Sequence, residues 1–116
     1  MRAEVKGFHS PDLAWGMEIP SGDCFGIVLQ IFIGPIGGDG EESFDVLICT
    51  PDYLQKQVRE SGIVDGRHHL IIDTFDHQKI EYYIQKRVAS IESETWDRLA
   101  EKLGRIGLWE YEDYED

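Results

Sequence analysis

Cys24-Phe-Gly-Ile-Val-Leu-Gln-Ile-Phe-Ile33, then Gly34-Pro-Ile-Gly-Gly-Asp-Gly-Glu-Glu42, then Ser43-Phe-Asp-Val-Leu-Ile-Cys-Thr50: this stretch decides how the rest of the chain folds. Two β-branched and aromatic runs flank a segment of glycine, proline and acid, the pattern of strand, loop and strand. Side chains alternate across a strand, so Phe25, Ile27, Leu29, Ile31 and Ile33 share one face while Val28 and Phe32 take the other. In the second run Phe44, Val46 and Ile48 oppose Asp45, Leu47 and Cys49. Strands apolar on both sides belong at the centre of a sheet with at least one face covered. The stretch is a central antiparallel hairpin, and by itself it announces no chemistry.

Upstream, residues 3–8 alternate apolar and charged and predict a short edge strand, broken by His9-Ser10-Pro11-Asp12. The loop from Asp12 to Asp23 drops Trp15 onto the core. Downstream, Thr50 suits a helix N-cap, Pro51 the first helical position, and Asp52 the first turn, with Gly62 as the stop. Tyr53, Leu54 and Val58 fall on one side of that helix. Gly66-Arg67 leads into a strand from His68 to Phe75. Asp76 then caps a long helix striped by Ile80, Tyr83, Ile84, Val88 and Ile91. A last helix carries Trp96, Leu99, Ala100 and Leu103 and ends at Gly104 and Gly107. The expected fold is α+β: a three- to four-stranded, mainly antiparallel sheet with helices packed on one face, its strand order open. Without repeats or a linker, residues 1–116 read as a single domain.

The chain has 23 acids against 11 bases and a formal charge of −12. Such a field repels nucleic acid and anionic membrane and attracts basic partners, although solubility alone also accounts for it. Met1 to Lys6 has no apolar signal-peptide core, and nothing approaches a membrane-spanning run. Cys24 and Cys49 stand at the two ends of the hairpin unit, where they could pair. Their apolar strand contexts, without secretory features, point instead to reduced core thiols and a cytoplasmic protein.

His68 and His69, adjacent in a strand, point to opposite faces and cannot chelate one ion, so no metal site and no cofactor is expected. The loop from Gly34 to Gly40 lacks the Lys-Ser/Thr of a phosphate loop and the oxygen spacing of a calcium loop. No nucleophile motif is present, although Cys49 lies just before a helix start, which leaves a modestly activated thiol open. No catalytic residue is assigned, and the chain reads as a non-enzyme.

The tail Trp109-Glu-Tyr-Glu-Asp-Tyr-Glu-Asp116 supplies −5 of the −12 charge and three aromatics. Carboxylates beside rings suit a rim that meets Arg and Lys while covering apolar area. The partner-binding candidates are therefore Glu110, Glu112, Asp113, Glu115 and Asp116, with the hairpin-loop acids Asp39, Glu41 and Glu42 as the other location. The plainer reading packs Trp109 and Tyr111 on the sheet and leaves the acids solvated. An extended tail would place Trp109, Tyr111 and Asp113 on one side and Glu110, Glu112 and Tyr114 on the other.

Phe8-His9-Ser10-Pro11-Asp12, Ile33-Gly34, Ser43-Phe44-Asp45, Cys49-Thr50-Pro51, Gly66-Arg67, Thr95-Trp96 and Trp109-Glu110-Tyr111-Glu112-Asp113-Tyr114 together carry a resemblance. In that order, across nearly the whole chain, they resemble the immunity protein 8 family of bacterial polymorphic toxin systems. Tyr53 departs from the tryptophan expected there but keeps an aromatic. The resemblance implies a cytoplasmic antidote that binds and inhibits a cognate toxin domain, and it carries no catalytic residues. Many such toxins are nucleases with positively charged clefts, which an acidic protein would occlude. The alternative is a chaperone-like module that binds a basic secreted protein without inhibiting it.

Overall fold

The computed structural model describes residues 1–113. The hairpin forms β2 (Gly26–Pro35) and β3 (Glu42–Cys49), antiparallel, with Gly26 opposite Cys49 and Ile33 opposite Glu42. Burial follows the alternation in sequence. Ile27, Leu29, Ile31, Ile33, Phe44, Val46 and Ile48 are buried, while Val28, Gln30, Phe32, Ser43, Asp45 and Leu47 are only half-buried. β1 (Ala3–His9) pairs with β2 as an edge strand, and its register shifts between Val5 and Gly7. Val5 pairs with Ile33 and Phe8 with Ile31, so the extra residue lets both side chains pack against the core.

α1 (Pro51–Ser61) begins where the sequence places it. Thr50 accepts the Tyr53 N–H, and Gly62 closes the helix at φ 82° in the left-handed region. α1 buries no residue; its Tyr53 ring lies over Gly26, where any Cβ would collide with it. The strand expected from His68 to Phe75 contracts to β4 (His69–Ile71), and it runs parallel to β3. The helical crossover returns the chain in the same direction. His68 sits at φ 61°, which no strand continues through, and after Ile72 donates to the Cys49 carbonyl the chain bends away at Asp73 and Thr74.

α2 (His77–Ala89) and α3 (Trp96–Leu103) follow, capped by Asp76 and Thr95. Their Ile80, Ile84, Val88, Leu99, Ala100 and Leu103 join the buried sheet residues in one core cluster, so both helices cover the same face. Two members of the expected α2 stripe are not fully buried, although Ile91 still packs against the cluster. Tyr83 stands at the stripe's margin and is 47 % exposed, and Ile91 lies beyond the helix end.

β5 (Leu108–Trp109), too short for periodicity to reveal, pairs antiparallel with Phe44 and Asp45. Gly107 permits the approach, since a Cβ there would stand 2.9 Å from the Asp45 carbonyl oxygen. β4 and β5 thus divide one side of β3, which leaves no single long open edge there. The order is β1-β2-β3-β4 with β5 beside β3, a mixed sheet in an α+β fold in which only the β3–β4 pairing is parallel.

Cys49 is fully buried at the end of β3, but Cys24 is exposed; both are free thiols. The expected core position of Cys24 is corrected because strand pairing starts only at Gly26. Among the described residues no helix is long and apolar enough to cross a membrane.

Candidate functional site

Glu42 is the residue on which the loop–tail region is built. It opens β3, directly after the hairpin loop, and is half-buried. Its Oε1 accepts the Trp96 indole N–H at 2.8 Å, and its Oε2 accepts that of Trp109. One carboxylate therefore ties the start of α3 and the end of β5 to the start of β3. Trp109 stacks on Phe44 with ring centres 6.4 Å apart and planes 11° apart, and Tyr111 meets Trp109 edge-on at 5.9 Å. Indoles stacked and hydrogen-bonded in this way are held in single orientations.

The tail does not run extended past Trp109. The Glu112 N–H donates to the Trp109 carbonyl at 2.9 Å, and Asp113 adopts φ 61°, so residues 110–113 turn back. The alternation expected for Trp109 to Tyr114 is therefore absent across the described tail. Glu110 bonds Ser43 twice: its backbone N–H donates to the Ser43 carbonyl at 3.1 Å, and its Oε1 accepts the Ser43 N–H at 2.9 Å. Glu112 Oε1 pairs with Arg67 Nη2 at 2.7 Å. Glu42, Glu110 and Glu112 are thus engaged within the fold. Asp39, Glu41 and Asp113 are exposed, and no ion pair joins them to a base among the described residues. Glu115 and Asp116 lie outside the described residues.

Loop and tail, alternatives in the sequence, face each other. A cleft of about 310 Å³ is lined by Asp39, Glu41 and Glu42 from one side and by Trp96 and Tyr111 from the other. Beyond Tyr111 a second recess of about 330 Å³ is lined by Glu101, Glu112 and Asp113. The loop reaches the cleft because Gly34 has no side chain: a Cβ there would overlap the Gly40 carbonyl oxygen.

Cys49, His68 and His69 are each placed by the fold. The Cys49 thiol is fully buried and burial pushes its pKa up, which corrects the modest activation the helix start left open. His68 Nε2 donates to the Gly104 carbonyl at 2.6 Å, and His69 Nδ1 to the Arg67 carbonyl at 2.8 Å. The two histidines do not alternate along a strand, because His68 precedes β4. Among the described residues no group of three or more His, Cys, Asp or Glu is placed to hold a metal ion.

Asp45 is the residue that sequence reasoning passed over. Its Oδ1 is buried and, among the described residues, has no hydrogen-bond partner. Burial, and then the charge of Glu110, raises its pKa. The available signal was one acid inside an apolar strand run, on the side away from Phe44 and Val46.

The model of a protein family described as Immunity protein 8 matches residues 3–114. No curated protein and no solved structure matches the chain.

Proposed function

The chain belongs to the Immunity protein 8 family, and from that premise we propose that it binds and inhibits a cognate, basic toxin domain in the cytoplasm of a toxin-producing bacterium. Its role in a toxin system follows from the family, whose members typically bind a cognate toxin protein. The basic character of the partner is supported by one observation above others. Among the described residues, Asp39, Glu41 and Asp113 have no ion-pair partner, and they stand around the Trp96–Trp109–Tyr111 cluster on a chain of net charge −12. Rings fixed in advance lose little entropy on binding, and unpaired carboxylates at their rim steer a cationic partner inward. A nuclease domain, whose cleft must attract phosphate, is the toxin class that fits this field.

We read the protein as a stoichiometric inhibitor acting as one domain, without catalysis or cofactor. The burial of the Cys49 thiol and the hydrogen bonds of His68 and His69 to backbone carbonyls support that reading. The acidic field disfavours nucleic acid and anionic membrane as partners.

The test is growth protection. Cells expressing the toxin domain encoded beside this gene should survive when the protein is co-expressed, and the purified toxin domain should lose activity at equimolar protein. Stable binding with undiminished toxin activity would instead favour the chaperone-like alternative.

A further inference from the structure

α2 and α3 cover one face of the sheet, and the opposite face is only partly covered. Its centre is Asp45. Ser43 and Leu47 flank it along β3, Gln30 lies directly across on β2, and Val28 and Phe32 occupy the diagonals. All six are only half-buried, in contrast to the fully covered residues that alternate with them. Tyr53 overlies only the Gly26 end. At the other end β5 contributes Leu108, which is 49 % exposed, and next to it Glu110.

The charges on this face are unevenly balanced. Glu4 and Lys6 neutralise each other at 2.7 Å, and His9 and His69 sit opposite Gln30 and Leu47. Asp45 and Glu110 have no cationic partner among the described residues and repel each other. An acid desolvated without a partner costs the free protein stability, and a proton or an arriving cation relieves it. Apolar groups around it are the arrangement in which a charged contact is shielded from water and becomes strong.

We propose that this open sheet face is the surface on which the toxin domain docks, with an arginine or lysine of the toxin closing on the Asp45 carboxylate between Phe32 and Leu47. This rests on the toxin-binding reading above and deepens it. The acids continue from Asp45 through Glu110 to the tail, so the rim guides a basic domain toward the face where Asp45 anchors it. The stem of the incoming side chain lies along Val28 and Phe32, and its head neutralises the Asp45 carboxylate from the outer side, since Oδ1 itself is closed to solvent.

The experiment uses full-length protein and the catalytically inactivated toxin domain encoded beside it. Asp45→Asn keeps shape and removes charge; Glu94→Gln, on an exposed turn, is the charge-matched control. Gln30→Lys supplies a cation to Asp45 from within the sheet and competes with the toxin's own. Asp45→Asn should match or exceed the wild type in melting temperature yet bind the toxin roughly tenfold or more weakly. Gln30→Lys should likewise fold and bind weakly, and Glu94→Gln should behave as wild type. Wild-type protection with binding by Asp45→Asn and Gln30→Lys within about twofold of wild type overturns the docking face and leaves the immunity reading standing. If Asp45→Asn is instead too unstable to purify, Asp45 is structural, and Gln30→Lys alone decides by the same criterion. Wild-type protein that neither binds nor protects overturns both.

Discussion

Trp96 on α3 and Glu42 at the start of β3 are joined by an indole N–H···carboxylate bond of 2.8 Å across 54 residues of chain. The other oxygen of Glu42 takes the indole N–H of Trp109, 67 residues away. A residue that reads in sequence as one more acid of a flexible loop is therefore the tie between three elements. Glu42 sets how the aromatic cluster stands, while Asp39 and Glu41 beside it stay exposed.

Removing that tie should be felt as stability. Glu42→Ala leaves two indole N–H groups without their charged acceptor and should cost about 2–3 kcal/mol, read by urea unfolding. Glu42→Gln should cost less, since its amide oxygen still accepts from one of the two indoles. An unfolding midpoint equal to wild type for Glu42→Ala would mean the indoles find water without loss.

Thr50 holds two elements with one hydroxyl. It is 2 % exposed, and its Oγ1 accepts the N–H groups of Tyr53 at 3.4 Å and Phe25 at 3.3 Å. Thr50→Ala should cost about 1–2 kcal/mol, at the upper end for a lost N-cap, and Thr50→Ser should restore most of it. Equal losses for serine and alanine would assign the effect to the missing methyl group.

The two thiols should separate kinetically. Cys24 is exposed and Cys49 is buried with its pKa raised by that burial. A chromogenic disulfide reagent should titrate one thiol in native protein and the second only on unfolding, because the thiolate is the reacting form. Two equally fast thiols in the native state would contradict the packing at the end of β3.

Asp45 should make stability fall with rising pH. Its folded pKa lies above the ordinary 3.8, through burial first and then Glu110. The folded state thus holds this proton more tightly than the unfolded chain. Its contribution is complete below about pH 3.8 and is lost as pH rises through the raised folded value. Asp45→Asn lacks this titration, so its stability relative to wild type should improve over that window and then level off. A difference independent of pH would show that the folded environment does not perturb the carboxyl.

Neutralising the exposed rim should slow association. With Asp39, Glu41 and Asp113 converted to Asn, Gln and Asn, the on-rate for the toxin domain should drop at low salt and lose much of its salt dependence. Melting temperature should stay near wild type, since none of the three carries an ion pair among the described residues. Unchanged rates at both salt concentrations would make the rim a solvated surface only.

What the sequence determined by itself is what neighbouring residues determine. The alternation of Ile27, Leu29, Ile31 and Ile33 against Val28 and Phe32 specified the hairpin and its buried face. Thr50 and Asp76 specified two helix starts through hydroxyl or carboxylate acceptors placed two or three residues before backbone N–H groups that lack partners. Those forces act within one or two turns of chain, so the residues carry them visibly. Tertiary structure alone decided that β4 is short and parallel, that two residues near the end complete β3's edge, and that the loop and tail share one cleft. It also decided that Glu42, Glu110 and Glu112 are engaged internally while Asp45 is not. An acid looks the same in sequence whether its carboxylate meets an indole, a guanidinium, water or nothing. The difference comes from groups 45 to 67 residues distant, brought within hydrogen-bond reach only when the apolar faces close on one another.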